Sequence, residues 1–282
     1  MVFNGQTIDS GDNSTNIQGK KVKVIQNNPG LSYFEVKDIA MSVFKSNFYD
    51  LGEKAEKIVQ ERAEKILDDY LEKLCSKNPE CINNTQDPDI RYVIYEAQKN
   101  YARRGEKFTE KLLVETLVNR TIVQGNSIQE LVLNEALEII PKITHRQIVI
   151  LTLIFINRYL NYLVEYPIDA YSNLSKIIRS NIQIDKNNNS IFQHLEYASC
   201  LNVSIGSIDY ASIIENKFPQ IKSLEEAKSI INGNMELSLM SDMWGNSKMR
   251  NSTLTSVGIA IALANIKAKT GMNYDLGIWI KE

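Results

Sequence analysis

From residue 31 onward the chain alternates apolar and charged positions at intervals of three and four, the spacing of amphipathic helices. Ser32 followed by Glu35 forms a capping-box pattern ahead of Val36, Ile39, Ala40 and Val43, so a helix is expected to start there. One or two helices then run to about Leu74, with a break near Gly52. Leu51, Ala55, Ile58, Val59, Ile66, Tyr70 and Leu74 form the apolar stripe, and Glu53/Lys57 and Glu61/Lys65 stand at i,i+4 on a solvated face. A loop is expected over 75–88, where Asn and Pro cluster. Further helices fit 88–103, 107–122, 127–140 and 145–163, the last with Thr144 as N-cap after the break at Pro141. They continue at 167–181, 190–201, 207–217, 223–232 and 253–269. Leu276-Gly277-Ile278-Trp279-Ile280 alternates like a short strand.

The first thirty residues follow a different rule. The polar run from Gly11 to Gly19 leads into Lys20-Lys21-Val22-Lys23-Val24-Ile25-Gln26, bounded by turn residues at Gly19 and at Asn27-Asn28-Pro29-Gly30. This reads as a short β segment, which has too little apolar surface to stand alone and must pair with something. The fold class expected is therefore mainly α: a helical bundle body over 31–282, a short N-terminal β segment over 1–30, and a short C-terminal strand. Subdivision of the body near 76–88 or 183–190 is compatible with the loops there.

In the expected assembly, copies of the N-terminal segment pair edge to edge between subunits of a homo-oligomer. Asn13, Asn16, Gln18 and Gln26 would hydrogen-bond across equivalent positions, Val22, Val24 and Ile25 would supply the buried side, and Ile17 belongs to the same oligomerisation segment. Pairing with Ile278-Trp279-Ile280 inside one subunit is the competing arrangement.

Composition narrows the function classes. With 32 Lys and Arg against 34 Asp and Glu the net charge is −2, which provides no field to favour duplex nucleic acid or an anionic membrane. The longest apolar stretch, 148–156, is well short of the roughly 20 residues that span a bilayer, and reads as a buried helix. Met1-Val2-Phe3-Asn4-Gly5-Gln6 has neither the basic nor the apolar region of a secretory leader, and three cysteines make no even disulfide framework. A cytoplasmic protein is expected, with no role at a membrane in its resting state.

Candidate chemistry is thin. The two histidines, His145 and His194, have no second His at i+3 or i+4, and Cys75 and Cys81 are not spaced as zinc ligands, so no metal and no cofactor is expected. His194 and Cys200 would fall on different sides of a helix. There is no phosphate-binding glycine loop and no nucleophile elbow. Glu35-Val36-Lys37 matches the Glu-x-Lys of metal-dependent nucleases, but Glu35 already has a capping role. Arg103-Arg104 beside Tyr92, Tyr95 and Tyr101 could stack on a single strand, though arginines also suit a helix C-terminus without any ligand. The residues thus lean away from catalysis.

Two ends of the chain also carry a resemblance. Gly11-Asp12-Asn13-Ser14-Thr15-Asn16-Ile17-Gln18 resembles a polar signature found ahead of varied bacterial domains, several tied to phage defence. Leu31-Ser32-Tyr33-Phe34-Glu35-Val36, the run from Val43 to Tyr49, the run from Leu254 to Ile261 and Leu276-Gly277-Ile278-Trp279-Ile280 look like the start and end of a little-characterised bacterial helical family. Ile143-Thr144-His145-Arg146-Gln147-Ile148 and Leu254-Thr255-Ser256-Val257-Gly258 are more loosely similar to the alpha-type abortive-infection proteins. The resemblance implies a role in antiviral defence and brings no catalytic residues with it. The expected function is a self-associating sensor or scaffold, working through its own copies or another protein. A nuclease with a non-standard site and a membrane-acting effector are the alternatives.

Overall fold

The computed structural model describes residues 30–47, 53–125, 127–160, 168–180, 182 and 189–281. Residues 13–26, which carry the expected oligomerisation segment, lie outside the described residues.

The chain is mainly α-helical. In order come α1 (Tyr33–Asn47), α2 (Glu53–Lys77), α3 (Pro88–Arg104), α4 (Lys107–Ile122), α5 (Ile128–Ile139), α6 (His145–Arg158), α7 (Ile168–Arg179) and α8 (Asn189–Tyr197). Strand β1 (Leu201–Val203), helices α9 (Tyr210–Lys217), α10 (Leu224–Gly233) and α11 (Met235–Gly245), strand β2 (Ser252–Leu254) and helix α12 (Ser256–Thr270) complete it.

Local chemistry sets the helix starts. Ser32 N–H donates to Glu35 Oε2 at 2.8 Å, and Glu35 N–H donates back to Ser32 Oγ at 3.3 Å. Thr144 and Gln147 form a second reciprocal capping box at the start of α6. Asp87 caps α3, whose first residue is a proline that has no N–H to leave unsatisfied.

Two apolar helices form the centre. Every residue of α6 from Gln147 to Asn157 is buried, as is every residue of α12 from Val257 to Ile266. Helices that are apolar all round must be enclosed by others. α12 packs on α6, α4, α5 and α7, while α2, α3 and α4 pack on one another with α1 laid across α2 and α3. One polar bond marks the crossing of the central pair, from Asn265 Nδ2 to Thr152 Oγ1 at 2.8 Å. The expected buried reading of 148–156 holds, and among the described residues no helix is long and apolar enough to cross a membrane.

Several expected boundaries shift. The loop expected over 75–88 is helical at both ends: α2 continues to Lys77, and 3-10 turns occupy Pro79–Gln86. The helix expected over 190–201 stops at Tyr197, because 201–203 pairs antiparallel with 252–254 in the register Leu201↔Leu254 and Val203↔Ser252. That pairing also delays the last helix to Ser256. Helix α6 ends at Arg158 rather than 163. α11 was not anticipated; Asn234 starts it by accepting from Glu236 N–H at 3.0 Å and Leu237 N–H at 3.1 Å.

The expected C-terminal strand is not formed. Leu276–Ile278 is a 3-10 turn, capped by Asp275 Oδ1, which accepts from Gly277 N–H at 2.9 Å. Of the segment's alternating apolar side chains, Ile280 is buried and Ile278 is exposed. Trp279 sits edge-on to Phe155 with ring centroids 5.0 Å apart, and its indole N–H donates to the Tyr159 carbonyl at 3.2 Å.

Candidate functional site

The informative residues are the polar ones inside the bundle, since buried apolar side chains need no further account. α4 is rich in them: Thr109, Glu110, Glu115, Thr116, Arg120 and Thr121 are all buried.

Glu115 is the focus. It lies within the run Leu112-Leu113-Val114-Glu115-Thr116-Leu117-Val118, and only 4% of its side chain is exposed. A carboxylate held that deep needs cations beside it. Lys73 of α2 donates to Oε1, and Lys267 of α12 places its Nζ 3.3 Å from Oε2. A third lysine, Lys77, stands one turn beyond Lys73 and donates to Asn119 Oδ1 at 3.0 Å. Asn119 is in turn one helical turn beyond Glu115. The arrangement is a set of i,i+4 ladders: Lys73 and Lys77 on α2 against Glu115 and Asn119 on α4, with Lys267 arriving from α12.

The charges do not balance within this cluster: two ammonium groups pair with one carboxylate and a third, Lys77, stands beside Lys267. Lys77 is exposed at the rim, yet its pKa is pushed down to about 8. Crowding by packed atoms is the main cause, followed by the neighbouring Lys267; Lys73 adds to the effect and Glu115 opposes it.

Two cavities flank the cluster. The larger, 530 Å³, is bordered by Lys73, Lys111, Glu115, Asp69, Glu72 and Glu110, so its lysines are answered by carboxylates. Glu110 is also engaged by Lys65 and by the Tyr101 hydroxyl, whose pKa rises to about 12 through burial and that bond. The smaller, 350 Å³, lies between α4, α5, α12 and the C-terminal segment. Lys77 and Asn119 form its polar edge, and Ile122, Leu133 and Leu263 line its apolar wall. Residues 273–276 cover one side. That covering segment is tied to α5, because Gln129 Nε2 donates to the Ile280 carbonyl at 3.3 Å.

The residues singled out from the sequence are engaged elsewhere. His145 packs on Phe108 with ring centroids 3.9 Å apart, and burial, then Lys269, lowers its pKa. His194 Nδ1 is 2.9 Å from Gln147 Nε2 and is not paired with Cys200. Cys200 is buried with Sγ against the Ala198 carbonyl, and burial raises its thiol to about 12. Cys75 and Cys81 are free thiols, both raised by burial. Glu35 serves the cap, and Lys37 pairs with Glu64 and Asp68 at 2.9 Å each. Tyr101 is in the core and is withdrawn from the tyrosine–arginine surface, and Arg104 donates to the Pro141 carbonyl at 2.8 Å. Among the described residues no group of three His, Cys, Asp or Glu side chains converges as metal ligands would.

Spacing along the chain places Lys77 in the loop expected over 75–88 and singles out neither Lys73 nor Glu115. The available signal was a lone carboxylate inside a seven-residue apolar run.

A family model matches residues 30–233 and 220–280 of the chain. The match starts after Gly11–Gln18, the stretch that carries the N-terminal resemblance. No curated protein and no solved structure matches the chain.

Proposed function

We propose that this chain, which belongs to an uncharacterised protein family through the match across its helical body, is a binding protein, a sensor or scaffold that self-associates and takes a small ligand into its 350 Å³ cavity. The observation that carries the reading is the makeup of that cavity. It joins an apolar wall to a few convergent polar groups, the usual composition of a recognition site, and its volume lies within the range of roughly 300–1,000 Å³ typical of ligand pockets. The side chains best suited to nucleophilic or acid–base chemistry, His145, His194 and Cys200, are each engaged in packing or hydrogen bonding away from it.

Self-association rests on the sequence of the N-terminal segment. Asn13, Asn16, Ile17, Gln18, Val22, Val24, Ile25 and Gln26 form the pattern of a strand in need of a partner, and a second copy supplies one. The setting in antiviral defence rests on the resemblance of Gly11–Gln18 and of the abortive-infection-like motifs.

Light scattering on the full chain and on a chain lacking residues 1–28 tests the assembly. The full chain is expected to be oligomeric, and the shortened one should fall to a lower mass with its helical circular dichroism kept. An unchanged mass would remove the N-terminal segment from the assembly. Metal-dependent cleavage of RNA or DNA by the full chain would replace the binding reading with an enzymatic one.

A further inference from the structure

We propose that the 350 Å³ cavity binds a small molecule that carries an oxyanion, a carboxylate or a phosphate, on an apolar body. The proposal rests on the binding-protein reading above and specifies its ligand.

Charge counting supplies the first argument. Lys73 and Lys267 pair with the two oxygens of the Glu115 carboxylate, and Lys77 adds a third positive charge beside Lys267. Lys267 is committed to Glu115 Oε2, whereas Lys77 spends one N–H on Asn119 and is the lysine at the cavity edge. Of the three lysines only Lys77 lines the cavity, and an oxyanion at that edge would accept from the Lys77 N–H donors not spent on Asn119 and offset the positive charge of Lys77 and Lys267.

The neighbouring cavity is a built-in contrast. It is larger, yet Asp69, Glu72 and Glu110 answer its lysines, so it offers an anion nothing. In the smaller cavity the one lining carboxylate is Asp275, which is exposed and has Oδ1 bound to the Gly277 N–H. The apolar wall completes the specification. Ile122, Val123, Leu133, Ala260 and Leu263 would cover a hydrocarbon or aromatic portion, which a bare inorganic anion would leave uncovered.

Protonation adds a readout. The groups around Lys77 are Lys73 on its own helix, Glu115 on α4, Cys81 on the following turn, Lys267 on α12 and Asp275 in the C-terminal segment. With Lys77 lowered to about 8, an anion that pairs with it favours the protonated amine, so binding near pH 8 takes up protons and weakens as pH rises further.

The test is calorimetry on the full chain at pH 7 and low salt with three probes of one size: benzoate, phenyl phosphate and benzyl alcohol. Methyl-labelled NMR locates them. One or both oxyanions are expected to bind and to shift the Leu133 and Leu263 methyls, and the tighter of the two identifies the anion. Lys77→Gln should weaken that binding by roughly tenfold or more, the loss expected for one charge-assisted hydrogen bond. Benzyl alcohol binding as tightly at the same methyls would overturn the oxyanion and leave a cavity for neutral ligands. No methyl shift from any probe would overturn the cavity reading as well.

Discussion

Glu115 on α4 and Lys267 on α12 face each other at 3.3 Å inside the bundle, with 4% and 14% of their side chains exposed. Lys73 reaches the other carboxylate oxygen from α2, so one glutamate links three helices that are distant in sequence. Neutralising it would leave the Lys267 ammonium, inside the bundle, without a counter-charge.

Glu115→Gln is accordingly expected to destabilise the protein by about 3 kcal/mol, the cost of breaking a buried pair from one side. Lys73→Met should cost no more than about 1 kcal/mol, because Lys73 is more than a third exposed and Glu115 keeps Lys267. Urea unfolding followed by circular dichroism orders the two, and a larger loss for Lys73→Met would contradict the arrangement.

Gly258 sets how closely α12 approaches Cys200, the residue that leads into β1. A Cβ at this position would lie 2.0 Å from the Cys200 carbonyl oxygen, a backbone atom that cannot swing aside. Gly258→Ala should therefore lower stability by about 3 kcal/mol, at the upper end of overpacking costs. Gly245→Ala, with open space around its added carbon, should stay within about 1 kcal/mol of the parent. Thermal unfolding of the two variants checks the contrast.

Lys217 gives a pH signature. Burial lowers its pKa to about 8, and its ammonium donates to the Leu160 carbonyl. An unfolded lysine titrates near roughly 10.4, so between these values the unfolded chain holds the extra proton and stability rises with pH. The full cost is present below about pH 8 and disappears toward 10.4. The unfolding free energy of the parent minus that of Lys217→Met should thus increase by about 2–3 kcal/mol between pH 7 and pH 10. A difference that stays flat would mean Lys217 is solvated as an ordinary surface amine.

Most of the helical frame could be read from spacing and caps, and the reasons are local. Ser32, Thr144 and Pro88 each act on their own first turn, so their effect needs no tertiary contact. β1 and β2, three residues each, escaped notice because such short strands exist only through each other. Leu276, Ile278 and Ile280 imitated a strand by their spacing alone, since a 3-10 turn there leaves Ile278 exposed and Ile280 buried. The lysine–glutamate cluster was the least legible part. Lys73 and Lys77 have the spacing of any solvated helical flank, and only the fold brings α4 and α12 against them. Glu115 amid leucines and valines was the exception, a local anomaly that pointed to burial.

The electrostatics of the cavity edge can be measured directly at Lys77. Lysine side chains carrying a 13C label in the full chain, with Lys77 assigned through Lys77→Arg, give its titration by NMR. The midpoint is expected near pH 8, displaced upward when benzoate or phenyl phosphate is present at saturating concentration. A midpoint near the ordinary lysine value of roughly 10.4, indifferent to both anions, would contradict the account.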